Sequence, residues 1–79
     1  MPRYFFHLHN DLDVLDHEGY ELASPKDAQL QAEREARVMA SESVLTKGRL
    51  MLSHSIEVTD EAGEPVTVVR FGDVITVES

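Results

Sequence analysis

Alternating apolar and polar residues predict a β-strand near the start of the chain. Tyr4, Phe6 and Leu8 occupy every second position of the segment 3–9. Because side chains alternate across a strand, we expect these three on the face toward the core. The intervening residues, expected on the opposite face, are Arg3, Phe5, His7 and His9.

Two short apolar segments follow a polar connection and predict a β-hairpin. Val14 to Asp16 and Tyr20 to Leu22 resemble short strands, and Gly19 between them suits a turn. We therefore expect these two segments to pair with each other.

A long run of helix-favouring residues predicts one helix in the middle of the chain. Its start is marked by Ser24, whose hydroxyl can accept from free amide groups, and by Pro25, which is tolerated at the first helical position. Its end is marked by Lys47 in the last turn and by Gly48, which favours a left-handed stop.

A helical wheel separates two faces of this helix. With an advance of about 100° per residue, one sector gathers mostly small side chains, which allow close approach to the sheet over Tyr4, Phe6 and Leu8. This sector contains Ala28, Ala32, Ala36, Met39 and Ser43. Another side carries the helix stripe, which consists of Leu30, Val38 and Leu45. The stripe has two interpretations. It binds a partner, or its residues are simply buried within a broad arc of the helix or are single exposed apolar residues.

Two further strands are predicted after the helix. His54 to Thr59 and Val66 to Phe71 flank a turn-rich link that ends at Pro65, where a strand can begin. Val74 to Val77 is expected as an edge strand or a short turn of helix.

Together these elements predict an α+β fold with the order β-β-β-α-β-β. We expect two layers, an antiparallel sheet of about four to five strands with one long helix packed on one face. Residues 1–79 should form a single domain, because a chain of 79 residues can enclose only one core.

Composition narrows the classes of function. The chain has 7 Lys and Arg against 15 Asp and Glu, giving a net charge of -8, which repels nucleic-acid phosphate. It has no cysteine, which excludes disulfides and thiol chemistry and fits a reducing compartment. No apolar run approaches the ~20 residues of a membrane span. We therefore expect a cytoplasmic protein with no nucleic-acid or membrane partner.

The opening segment Met-Pro-Arg-Tyr-Phe-Phe-His-Leu resembles that of a family of small bacterial proteins of unknown function. Segments 18–22, 56–63 and 69–73 are similar in kind and order. The resemblance covers nearly the whole chain and implies a bacterial, single-domain protein. It implies no activity, ligand or catalytic residue.

Two histidines give the sharpest local signal for chemistry. His7 and His9 are two residues apart on the predicted strand, so both imidazoles should project from one face, as two metal ligands could. His54 is a candidate third ligand, and zinc or nickel would suit imidazole. The simpler interpretation is a solvent-exposed face that tolerates histidine, with no cofactor.

The remaining motifs do not indicate catalysis. The acidic segment 10–18 lacks the spacing of an EF-hand and is interpreted as a solvated turn. Nothing resembles a nucleophile elbow, so we expect no enzyme and name no catalytic residue.

The leading hypothesis is a non-enzymatic interaction module that forms homo-oligomers or binds another protein. Its candidate interface consists of Phe5, on the face opposite the core, and the helix stripe Leu30, Val38 and Leu45. The alternative is a small metal- or ligand-binding protein that uses the exposed His7 and His9 pair. An acidic decoy for a basic nucleic-acid-binding surface is a third interpretation, based on net charge alone.

Overall fold

An open antiparallel sheet and a long helix packed against it form the two layers of the fold. The structure is a computed structural model that describes residues 1–79. Its elements are β1 (Arg3–His9), β2 (Asp13–Val14), β3 (Tyr20–Glu21), α1 (Pro25–Lys47), β4 (Ser55–Thr59), β5 (Pro65–Arg70) and α2 (Phe71–Val74). The predicted α+β class and element order are confirmed, and the structure adds α2.

Strand β1 organises the sheet. It pairs with β4 along one edge, and its other edge takes β2 at one end and β3 at the other. β4 pairs in turn with β5, which completes the order β2-β1-β4-β5 with β3 beside β1.

The predicted hairpin between residues 14–16 and 20–22 is wrong. Val14 pairs with Leu8 and Tyr20 pairs with Tyr4, so both short strands pair with β1 and not with each other. The reason lies in the segment between them, where the carboxylate of Asp16 bonds to the edge of β1.

Both ends of α1 lie where the sequence predicts them. The Ser24 hydroxyl accepts the N–H of Asp27 at 3.2 Å. At the other end Gly48 has φ 68°, in the left-handed region, and its N–H donates to the Val44 carbonyl at 3.0 Å. These local signals therefore fix a helix of 23 residues.

Four alanines form the buried ridge of α1. Ala28, Ala32, Ala36 and Ala40 are nearly or fully inaccessible to solvent. Met39, which the helical wheel placed in this sector, is 37% exposed. The side chains in contact with the sheet are spaced four residues apart along α1. Each step of four residues turns about 40° around the helix, so the fourth contact falls on Ala40 and not on Met39.

The core lies between this alanine ridge and one face of the sheet. Beyond the alanines, its buried members are Tyr4, Phe6, Ile56, Val58, Val69 and Phe71. Tyr4 and Phe6 are buried as predicted, but Leu8 is only partly buried. The expectation that the helix would lie over β1 needs correction, because α1 packs mainly over β4 and β5.

The chain after β5 turns into a helix instead of an edge strand. Val74 to Val77 was expected as an edge strand or a short turn of helix, and the edge strand is wrong. A helical turn does form, but slightly earlier, at Phe71–Val74. The backbone N–H of Arg70 donates to the Asp73 carboxylate at 3.3 Å, which starts this turn. Pro65 begins β5, as predicted.

None of the helices is both long enough and apolar enough to span a bilayer.

Candidate functional site

A groove runs beside α1 on the helix side of the sheet. It lies between α1, which packs mainly over β4 and β5, and the segment 14–20 beside β1. Phe6 and Leu8 form its floor, and Met39 lines it from the helix. The groove has a volume of about 330 Å³.

The outer wall of the groove consists of apolar residues that remain accessible to water. Val14 is 53% exposed, Leu15 is 58% exposed and Tyr20 is 47% exposed. The Tyr20 ring packs edge-on against Phe6, with centroids 5.4 Å apart. These side chains form one contiguous apolar surface with Met39 across the groove, and such a surface is typical of an interaction site.

Every charged side chain that lines the groove is acidic. Asp16 and Glu18 lie on the strand side, and Glu35 lies on the helix side. The negative charge of Glu35 and its hydrogen bond raise the pKa of the Tyr20 phenol, so Tyr20 stays neutral at physiological pH. The groove therefore combines an apolar floor with negative charge on both sides.

Asp16 holds the strand side of the groove in place. Its Oδ2 accepts the N–H of Phe6 at 3.1 Å, and its Oδ1 accepts the N–H groups of Glu18 and Gly19 at 3.0 and 3.1 Å. Burial opposes ionisation, but these hydrogen bonds keep the pKa of Asp16 below its ordinary value. The ionised Asp16 carboxylate thus accepts a backbone N–H of β1 that a carbonyl of a neighbouring strand would otherwise accept.

His7 and His9 lie on the open face of the sheet, opposite α1, as predicted. The Nδ1 of His7 accepts the Asp16 N–H at 3.1 Å, so its Nε2 carries the hydrogen and donates to Thr59 Oγ1 at 3.0 Å. The ring of His7 therefore links the β2–β3 connection to β4.

His9 lies between two carboxylates. Its Nδ1 is 2.9 Å from Asp13 Oδ1, and its Nε2 is 3.2 Å from Glu57 Oε1. Because an imidazolium donates from both nitrogens, the hydrogen bonds to Asp13 and Glu57 raise the pKa of His9. A metal at His9 would have to displace one of these carboxylates.

His54 lies apart from the other two histidines. It precedes β4 and lies on the helix side of the sheet, where it lines a cleft with Met39 and Phe71. His54 packs edge-on against Phe71 with centroids 5.8 Å apart, and its Nε2 is 3.6 Å from Asp11. The structure therefore does not bring His54 to the pair, and no group of three or more His, Cys, Asp or Glu is arranged to hold a metal.

A smaller, polar cleft of about 180 Å³ adjoins His54 at the end of α1. Asp11 closes it through an ion pair with Arg49. This contact joins the β1–β2 turn to the segment after the helix.

The predicted interface residues occupy two separate places. Phe5 is half-buried on the open face of the sheet. The helix stripe is accessible, with Leu30 54%, Val38 49% and Leu45 85% exposed. Burial over a broad arc is thereby excluded, whereas a partner-binding stripe and single exposed apolar residues are both consistent with this exposure.

Sequence reasoning missed the groove. Its outer wall comes from residues assigned to a hairpin and a solvated turn, and Met39 was assigned to the core. The available signal was the pair Val14 and Leu15 within an otherwise acidic segment.

Comparison with known proteins identifies a family for the chain. The model of the family described as Domain of unknown function (DUF6894) matches residues 3–72. Searches of curated proteins and of solved structures found no match.

Proposed function

The chain belongs to the DUF6894 family of domains of unknown function, and we propose that it is a non-enzymatic protein-interaction module that self-associates. We place this module in the bacterial cytoplasm, without a nucleic-acid or membrane partner. The net charge of -8 supports the absence of those two classes of partner, because it repels both nucleic-acid phosphate and anionic lipid.

The observation that carries the proposal is the exposure of the helix stripe. The alanine ridge of α1 is committed to the sheet, yet Leu30, Val38 and Leu45 on another side of the helix are each about half exposed or more. Apolar side chains that recur along one side of a helix favour packing against a second helix.

Charge along α1 supports antiparallel packing of two copies. If two α1 helices pack antiparallel with their Val38 residues in contact, position 34 of one lies across from position 42 of the other. Arg34 then faces Glu42 of the partner subunit, and the reciprocal pair forms by symmetry. The two pairs offset part of the repulsion between two acidic chains.

Sedimentation velocity of the parent and of a Leu30→Asp, Val38→Asp double variant tests the proposal. The parent should sediment as a dimer and the double variant as a monomer, because each subunit would bring two carboxylates into the interface and those at position 38 would face each other. Leu12→Asp, Val77→Asp is a matched control, since both residues are exposed and lie outside α1. A monomeric parent, or a double variant with the mass of the parent, would contradict the proposal.

Binding of a divalent metal is the second candidate function. The observation in its favour is that His7 and His9 share the open face two residues apart on β1, and zinc or nickel suits imidazole ligands. Calorimetric titration with zinc should show saturable uptake that a His7→Ala, His9→Ala variant loses. His17→Ala is the control, because His17 is exposed in the β2–β3 connection. Equal uptake by the double variant and the parent would reject this candidate.

A further inference from the structure

We infer that the outer edge of β5 pairs with the same edge of a second copy, so that two sheets become one continuous sheet. The inference goes beyond the proposed function, because this surface is separate from the α1 contact. Val38 of the helix stripe lies beside Met39, on the β1 side of α1 and away from β5. A chain with both interfaces assembles beyond the dimer, into closed tetramers or open rows.

The two outer edges of the sheet differ. The free edge of β1 is covered along its length, because β3 pairs with Tyr4, Asp16 accepts the N–H of Phe6, and β2 pairs with Leu8. β5 pairs with β4 alone, and its other edge carries no strand. Unpaired backbone groups along an edge are a template for another strand, so the edge of β5 specifies an extended occupant.

The pairing with β4 shows which backbone groups of β5 are open. The Phe71 N–H donates to the His54 carbonyl at 2.8 Å. Because bonded and non-bonded pairs alternate in an antiparallel ladder, positions 67, 69 and 71 bond to β4. The N–H and C=O groups of Val66 and Val68 therefore point away from β4, toward the outer edge.

The limits of this open stretch select one register. β5 begins at a proline, which has no N–H, and the Arg70 N–H already donates to the Asp73 carboxylate at 3.3 Å. Antiparallel pairing about a two-fold axis at Thr67 places Val66 of one copy opposite Val68 of the partner subunit and uses only open groups. An axis at Val68 would instead need the Arg70 N–H.

Charge in this register favours a second copy as the occupant. Arg70 is exposed and belongs to none of the ion pairs of the structure. Glu64 is exposed at the other end of the strand. With the axis at Thr67, Arg70 of each copy lies across from Glu64 of the partner subunit, which gives two reciprocal pairs of opposite charge.

The helices leave room for this pairing. α1 packs mainly over β4 and β5, and strands lie about 4.8 Å apart. The two α1 helices of a paired sheet would therefore lie about 10 Å apart, at the upper limit for packed helices. Each edge offers only two residues of open ladder, so the pairing is weak and joins α1 dimers at high protein concentration.

Cysteine cross-linking tests the register, because the chain has no cysteine of its own. The two Thr67 residues form a non-bonded pair with Cα atoms about 4.5 Å apart, which suits a disulfide, so Thr67→Cys should give a covalent dimer on oxidation. Val68→Cys is the control, since its Cα atoms would lie roughly 8 Å apart, too far for a disulfide. Val68 is 53% exposed and Thr67 is partly buried, so random collision would cross-link Val68→Cys more readily.

Charge reversal in the Thr67→Cys background tests the choice of occupant. Arg70→Glu or Glu64→Arg alone should slow the cross-linking, because each places like charges across the axis. The double reversal should restore it, because the opposite charges face each other again. Thermal unfolding of each variant verifies that it is folded.

Three results would overturn the inference. These are no covalent dimer of Thr67→Cys, equal cross-linking of Val68→Cys, and no effect of either charge reversal. Sedimentation under reducing conditions separates this inference from the proposed function. An α1 dimer that does not cross-link would overturn the β5 pairing alone, whereas a monomer that cross-links only through Thr67→Cys would overturn the α1 interface and support the pairing of β5.

Discussion

The Asp16 carboxylate accepts the backbone N–H of Phe6 at 3.1 Å, on the part of the β1 edge where neither β2 nor β3 pairs. This one hydrogen bond separates the two short strands that the sequence pattern joins into a hairpin. It also holds the β2–β3 connection against the sheet, where that connection forms the outer wall of the groove.

Replacement of Asp16 by alanine should lower the free energy of unfolding by about 2 kcal/mol, because the Phe6 N–H loses its acceptor. Urea denaturation measures the change, and Glu64→Ala, an exposed carboxylate in the β4–β5 turn, is the control. Because the folded-state pKa of Asp16 is lowered, its contribution is present above the ordinary value of 3.8 and is lost as pH falls through the folded pKa. A variant as stable as the control would contradict this role.

Alanine at Gly19 should destabilise the protein more than alanine at Gly63. Both glycines have positive φ, 69° and 80°, so each substitution carries a backbone cost of about 1 to 2 kcal/mol. A Cβ at Gly19 would also lie 2.6 Å from the Tyr4 carbonyl oxygen, whereas one at Gly63 meets nothing within 4 Å. Paired thermal melts measure the difference, and equal losses would mean that the approach of Gly19 to β1 is unimportant.

Enlarging a residue of the alanine ridge should destabilise the fold. Ala36 is completely buried against the sheet, so Ala36→Leu should cost about 1 to 3 kcal/mol by overpacking. Ser41→Leu adds a similar side chain on an exposed part of the same helix and should change little. Chemical denaturation of both variants provides the comparison, and similar midpoints would show that α1 can shift away from the sheet without loss.

His9 should make stability depend on pH near neutrality. Its pKa is raised in the folded state by Asp13 and Glu57, so its contribution is fully present below the ordinary value of 6.5 and is lost as pH rises through the folded pKa. The parent should therefore lose stability across that window, and His9→Gln should lose less. His17→Gln is the control, and identical pH profiles for all three proteins would disprove the coupling.

The sequence predicts those parts of the fold that local signals determine. Ser24, Pro25 and Gly48 act on their own neighbours, so both ends of α1 could be placed to the residue. The alternation in β1 likewise places His7 and His9 on the open face. The helix-stripe residues were assigned correctly to a side of the helix away from the alanine ridge.

The parts that depend on distant contacts could not be predicted. Val14 and Tyr20 pair with β1 because Asp16 reaches Phe6, ten residues away in sequence. Met39 is exposed because α1 lies over β4 and β5, which the wheel cannot indicate. The groove follows from these two features together, so it appears only in the assembled structure.

Native mass spectrometry of the untagged protein, purified without chelator, tests the central claim most directly, because one spectrum reports subunit number and bound mass. The interaction module predicts a dimer of the 8.9 kDa chain without any adduct. A bare monomer would contradict self-association, and a stoichiometric metal-sized adduct would instead favour the metal-binding alternative at His7 and His9.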